Sequence, residues 1–456
     1  MFIKKLIALI LPAVLVMPFI MSVSASSGGY EIKSPYSEVD WETWKAYKGN
    51  LHTHSTTSDG DDTMVDMITE YYNQGFDFLA MTEHGITGRE WNKRPFFHPL
   101  YIYQPIIGNR QNWLSDTQYE GITTGWYPLV STGEARGTPM TCISGGNELN
   151  ALTASKSHVN GYFLPDNVGS GNIGFENGYE YAVRLVEKNG GISHINHPGD
   201  WIEGKGEEKV SNPDTVGLFA RLLLKYKTCL GTEVFNGSNN TTRYDRILWD
   251  NLLKEVIPYG RTVIGFSNSD AHGTGMVDST FSVFMMEENS VENIKKTMQN
   301  GAFFGVTRNV KSTSKLGPEA DFSVTNQGFA YPMFTYIDVS GSKITVKVKD
   351  CRQIQWIANG EVIYKNSDIT PESPAKNIVL DLDLIDGSDE FLYVRAELLG
   401  DGGMCFSQAF IIDDGTQPLK YEEKLTLESL FNKIVFMLKS TRAYVLTCEI
   451  IKLLKK

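Results

Sequence analysis

From about residue 48 to 305, short apolar stretches alternate with segments whose apolar residues recur at helical spacing. Asp62 and Thr63 offer a cap for a helix carrying Met64, Met67, Ile68, Tyr71 and Tyr72 on one face, and Gly75 closes it before a strand over 76–82. The same grammar predicts helices over 179–188, 216–227 and 242–256, followed by strands over 192–195, 231–235 and 262–266. Strands and helices taking turns in this way predict an α/β architecture of the β/α-barrel kind, in which chemistry gathers at the C-terminal ends of the strands.

Two stretches break the alternation. Residues 89–145 show no clear period and are rich in aromatics, among them Trp91, Tyr101, Trp113 and Trp126. A segment this long is either a locally packed excursion or a wall of a substrate cleft. After residue 312 the period becomes two: Ile344, Val346 and Val348 alternate with polar residues, and Ala358-Asn359-Gly360 supplies a tight hairpin turn. A small antiparallel β-sandwich over 312–415 is expected, acting as a support or a surface-glycan contact.

Both termini read differently again. Lys4 and Lys5, an apolar run over 6–20 and Val23-Ser24-Ala25 have the form of an export signal cleaved after Ala25. The run is short for a membrane span and contains Pro12 and Pro18. The expected organisation is therefore a leader over 1–25, a barrel over 26–311, the sandwich, and a tail over 416–456. That tail has eight Lys or Arg against four Glu and a helical stripe through Leu427, Leu430, Phe431, Ile434, Val435 and Leu438. Docking on its own body, self-association and contact with an anionic membrane surface are the uses such a helix has. The predicted location is secreted or cell-envelope associated.

The 456 residues carry a net charge of −12, which disfavours duplex nucleic acid as a partner and leaves small anionic substrates open. The five cysteines are too few and too scattered for a disulfide framework. Cys351 and Cys405 share the later β-rich region, but sequence alone does not pair them.

Histidine placement changes the picture most. In a strand, residues i and i+2 share a face, so His52 and His54 can offer two imidazoles to one metal ion. Asp59, Glu148 and Asp270 add hard oxygen donors, and His84, His158, His197 and His272 add further nitrogens. Each stands at or just past the end of a predicted strand. His194 suits a supporting place behind His197, and His98 lies outside the pattern.

In order, Leu51-His52-Thr53-His54, Ser58-Asp59-Gly60, Thr82-Glu83-His84, Gly146-Asn147-Glu148 with His158, Asn196-His197-Pro198 and Asp270-Ala271-His272 resemble the motifs of the PHP family. This metal-dependent phosphoesterase family is named for its polymerase and histidinol phosphatase domains. The resemblance covers roughly residues 49–305, over half of the chain, and is nearer to members with a trailing β-domain, including metallohydrolases of carbamate esters. It implies a distorted seven-stranded, TIM-like β/α barrel holding up to three divalent ions, manganese, zinc or iron. His52, His54 and Asp270 would hold one ion, Glu148 would bridge to a second held by His158 and His197, and Asp59, His84 and His272 would hold a third. Glu148, Asp270 and His197 would be the catalytic residues, with hydroxide from metal-acidified water as the nucleophile. Glu83 departs from the aspartate usual in Thr-Asp-His, next to the histidine that ligates.

The implied function is a secreted phosphoesterase acting on a small anionic phosphate ester. Lys156 and Asn236 are candidate substrate contacts. Two other classes stay open: a metallohydrolase of a carboxyl or carbamate ester, for which the aromatic segment suits an apolar substrate, and a non-catalytic extracellular binding module.

Overall fold

The structure is a computed structural model that describes residues 29–95, 113–149, 157–166, 168, 178–202, 206–237, 240–370 and 377–423, and also 427, 430, 431 and 434. The expected leader over 1–25 lies outside these residues, as do Lys156, His98 and most of the tail. Among the described residues no helix is long and apolar enough to cross a membrane.

In chain order the main elements of the first half are β1 (Glu31–Lys33), β2 (Lys45–Asn50), α1 (Met64–Asn73), β3 (Phe78–Ala80), α2 (Asp116–Thr124), β4 (Thr141–Ile143), β5 (Asn147–Leu149) and β6 (Val159–Tyr162). There follow α3 (Gly178–Lys188), β7 (Ile192–Ile195), α4 (Glu207–Val210), α5 (Pro213–Lys225), β8 (Cys229–Asn236), α6 (Asp245–Val256), β9 (Ile264–Asn268), β10 (Thr280–Met286), α7 (Val291–Asn300) and β11 (Phe303–Thr307). The helix start at Thr63 is as expected: its side chain accepts from the Asp66 N–H, and Met64, Met67, Ile68, Tyr71 and Tyr72 are all buried. Helices α3 and α5 also fall on their predicted segments, while the expected 242–256 helix opens with a 3-10 turn over Thr241–Tyr244.

The described part of the aromatic segment is structured and packed. Ser115 and Gln118 form a reciprocal capping box on α2, Gly125 ends that helix in the left-handed region, and Trp91 is fully buried. Tyr72 on α1 donates a hydroxyl hydrogen bond to the Tyr127 carbonyl at 3.1 Å, tying the segment to the body.

The later strands are β12 (Asn309–Val310), β13 (Phe322–Ser323), β14 (Met333–Ser340), β15 (Lys343–Lys349), β16 (Gln353–Ala358), β17 (Glu361–Asn366), β18 (Ile378–Asp381), β19 (Tyr393–Gly400), β20 (Gly403–Phe406) and β21 (Phe410–Asp413). The antiparallel sheets expected after residue 312 are present, and Asn359 and Gly360 form the β16–β17 turn with positive φ, as an Asn-Gly hairpin requires. Strands β14, β15 and β18 make one sheet and β12 and β13 a two-stranded one, whereas β20 pairs with β11, so that β16, β17, β19, β20 and β21 continue the sheet of the first half. The Cys351 and Cys405 thiols are free, without a bridge between them.

The α/β expectation holds, and the barrel expectation is met only in part. An eleven-stranded sheet contains the parallel run β2-β3-β4, a separate five-stranded sheet runs β5-β6-β7-β8-β9, and among the described residues no ladder closes on itself. The five-stranded sheet is mixed, because β6 is antiparallel to both neighbours while β7, β8 and β9 are parallel. The two sheets meet through single bridges, Thr53 to Ala271 and His84 to Glu148. Just before the Ala271 bridge Asp270 has φ +48°, and just past β7 His197 has φ +23°, values that non-glycine residues seldom adopt. The fold is thus α/β with mixed sheets, and its candidate ligands lie along the seam.

Polar ties hold the halves together. On α6, Asp250 receives two 2.7 Å hydrogen bonds from the Arg395 guanidinium of β19, and Glu397 accepts from Arg395 and from Arg246, each at 2.8 Å. All four side chains are buried, so each charge depends on its partners. Strands β8 and β9 pass so closely at Gly231 that a Cβ there would stand 1.8 Å from the Ile264 carbonyl oxygen.

Candidate metal centre

The His52-x-His54 alternation works as geometry demands, placing both imidazoles in one buried cluster just past the end of β2. Glu148, in the middle of β5, is its centre. Its carboxylate oxygens stand 3.3 Å from His52 Nε2, 3.2 Å from His54 Nε2, 2.9 Å from His84 Nδ1, 2.9 Å from His158 Nδ1 and 3.2 Å from His197 Nε2. Asp270 adds an oxygen 3.1 Å from His52 Nε2 and 3.2 Å from His54 Nε2. On the more exposed side, Asp59 lies 3.3 Å from His84 Nε2 and 3.6 Å from His272 Nε2.

All nine sequence-derived ligand candidates are therefore brought together, eight of them in overlapping donor groups and Asp270 through its contacts with His52 and His54. Three of the groups are His54 with Asp59, His84 and His272; His52 with His54 and Glu148; and His84 with Glu148 and His158. A fourth group, His52 with His197 and Glu233, includes a residue the sequence reading did not name as a site residue.

The donor set fits divalent cations. His52 Nε2, His54 Nε2, His84 Nδ1, Glu148 Oε2 and Asp270 Oδ1 are buried, converge on one another, and have no hydrogen-bond partner among the described residues. Buried polar atoms ordinarily find partners, and a set of lone pairs aimed at a common space is what a coordinated ion satisfies. The protonation balance agrees. Burial pushes the His54, His84 and His197 imidazoles down, but Glu148, joined by Asp270 at His54 and His197 and by Asp59 at His84, outweighs it and leaves each at about 9. His272 also reaches about 9 against burial, through Asp59 and Asp270. Burial acts the other way on Glu148 and Asp270, and the facing histidines carry both carboxyls well below the usual range. His158 is the exception: burial dominates and lowers it. The pocket therefore attracts positive charge.

Supporting contacts account for the placement. Asn196 donates its amide to Glu148 Oε1 at 2.7 Å and to Asn160 Oδ1 at 2.9 Å, fixing the central carboxylate. Tyr71 on α1 shares a 2.7 Å hydrogen bond with Ser269, next to Asp270. Glu83 accepts from the backbone N–H groups of Ser55 (3.2 Å) and Ser58 (3.1 Å) and from both hydroxyls, so it clamps the loop that carries Asp59. The departure from aspartate thus falls on a loop clamp.

Asn236 donates to Glu233 at 2.9 Å and to Asp270 at 3.4 Å, which engages its amide with the pocket's carboxylates. His194 is buried, stacks on Phe266 with ring centroids 4.3 Å apart, and sits 3.5 Å from Glu233. Asp200 lies 3.4 Å from His197 Nδ1, its carboxyl raised to about 6 by burial. Glu233 and Asp200 were not singled out from the sequence. Glu233 did leave a signal, being a lone charge inside the otherwise uncharged strand Cys229–Asn236.

No protein-family profile and no curated protein matches the sequence. Solved structures do. The chain is structurally similar to PHP-like metal-dependent phosphoesterases. One is a two-domain Bacteroides vulgatus protein described as containing a predicted PHP-like metal-dependent phosphoesterase, with TM-score 0.40 and 16% identity over 83% of this chain and 98% of that one. Another is the lesion-specific endonuclease EndoQ of Pyrococcus furiosus, with TM-score 0.32 and 13% identity over 62% of this chain and 65% of that one. An amidohydrolase from Chromobacterium violaceum matches with TM-score 0.28 and 16% identity over 49% of this chain and 87% of that one. These similarities are low, and what the site does is read from its side chains.

Proposed function

We propose that the chain is a divalent-metal-dependent hydrolase of phosphate esters. The observation that supports it best is the single carboxylate of Glu148 set within 3.3 Å of five imidazole nitrogens, with unpartnered lone pairs beside it. His52, His54 and Asp270 would hold one ion, His158 and His197 a second, and Asp59, His84 and His272 a third, with Glu148 shared between the first two. The mixed nitrogen and oxygen donors suit manganese, zinc or iron. When bound, such ions acidify water and neutralise the charge that builds on phosphoryl oxygens.

The chain's own residues supply position and field. Asn196 aims Glu148, Glu83 fixes the Asp59 loop, and Trp201 packs its ring against His158 with centroids 4.6 Å apart. Asp59, Glu148 and Asp270 return less negative charge than three divalent ions bring, and counting Glu233 removes one further positive charge from that surplus. What remains favours an anionic phosphate over a neutral carbonyl compound. Export with cleavage after Ala25 forms part of this proposal.

Steady-state kinetics on manganese-loaded protein with nitrophenyl phosphate and nitrophenyl acetate test the substrate class. The proposal expects the larger kcat/KM for the phosphate. A larger value for the neutral ester, abolished by His54→Ala, would reassign the same centre to carboxyl or carbamate esters.

A further inference from the structure

Glu233 stands at the edge of the donor cage, fully buried on β8, and its oxygens are already taken up. Oε1 faces His52 Nδ1 at 2.8 Å and accepts from the Asn268 amide at 2.9 Å. Oε2 accepts from the Asn236 amide at 2.9 Å and from the His197 backbone N–H at 3.0 Å. A carboxylate has about four lone-pair sites, so these four contacts leave none for an ion. The other nitrogen of His52 points into the cage, 3.1 Å from Asp270 and 3.3 Å from Glu148.

We propose that Glu233 is a positioning residue for the metal centre, not a ligand: it keeps the proton of neutral His52 on Nδ1 and thereby turns the Nε2 lone pair toward the ions. This inference rests on the metal-centre reading above. The opposite tautomer would set an imidazole lone pair against a carboxylate at 2.8 Å, which is repulsive. The same carboxylate steadies a second ligand through the backbone. His197 adopts φ +23°, which non-glycine residues seldom do, and its N–H is held by Glu233 Oε2. One side chain on β8 thus sets the direction of a ligand from the β2 end and of another from the β7 end, across both sheets.

Cobalt(II) titration of the full chain tests this, followed by visible absorption and by elemental analysis after desalting, for the parent, Glu233→Gln and Glu233→Asp. All three should bind the same number of ions at saturation, while the affinity for one of them falls about 10–100-fold in Glu233→Gln, as measured for lost histidine-orienting carboxylates. Glu233→Asp, which keeps the charge, should recover part of that loss, and it carries the comparison if the glutamine variant does not fold. Loss of a whole ion equivalent at saturation would make Glu233 a ligand and overturn the inference. Unchanged affinity in both variants would overturn it as well. A parent chain that takes up no cobalt is a different result, removing the metal-centre reading itself.

Discussion

Replacing Glu148 by glutamine keeps the side chain's volume and removes its charge at the point where five imidazoles meet. At an effective dielectric of 20, two unit charges 4 Å apart interact by about 4 kcal/mol, and the interaction with a divalent ion is larger. Part of that is offset because the variant no longer buries a carboxylate, so a net loss of about 4 kcal/mol is a conservative figure. It corresponds to roughly a thousandfold fall in kcat/KM, since about 1.4 kcal/mol is a factor of ten. His158→Ala removes one donor from one ion, where the Glu148 change weakens two, and should cost less than Glu148→Gln. Elemental analysis after desalting and nitrophenyl phosphate turnover, measured on both variants, give the comparison. Parental metal content and turnover in Glu148→Gln, or a larger loss in His158→Ala, would refute the central place given to Glu148.

Three further outcomes concern the frame around the site. Arg395→Ala takes from buried Asp250 its guanidinium partner and leaves Glu397 with Arg246 alone, and urea unfolding should show a loss of about 3–5 kcal/mol; a loss below about 1 kcal/mol would mean the network is solvated. Glu180 is held at about 2 although burial opposes it, because Arg221 and Lys225 bond its carboxylate. Its folded value is depressed, so its stabilisation is present above pH 4.5 and is lost as the pH falls toward about 2; Glu180→Gln should flatten the melting temperature across that window, and an unaltered slope would contradict the assignment. Gly231→Ala should prevent proper folding, since its Cβ would meet the Ile264 carbonyl at 1.8 Å, whereas Gly217→Ala on α5, with nothing within 4 Å, should stabilise by about 1 kcal/mol. Thermal melts of the pair check both signs.

Much of the ligand set was legible because it depends on local rules. The i, i+2 spacing of His52 and His54 survives in the structure, and Asp59, His84, Glu148, His158, His197, Asp270 and His272 reach the same cluster. Helix α1 was legible for the same reason, from a cap and five apolar positions on one face. What could not be read depends on partners distant in sequence. Pairing of β11 with β20 joins residues about a hundred apart, and no periodicity encodes it. The seam between the two sheets rests on two isolated bridges, Thr53 to Ala271 and His84 to Glu148, that join residues far apart in sequence. Glu233 was missed because the strand around it was read for its apolar residues. Its charge becomes informative only when burial and the surrounding donors are known.

The most direct test of the metal-centre account is elemental analysis of the purified chain, paired with phosphate-ester hydrolysis before chelation, after it, and after reloading with manganese. The account predicts divalent ions at more than one per chain, activity lost with the chelator and restored by manganese. A chain that takes up no divalent ion, or whose hydrolysis is indifferent to the chelator, would contradict it.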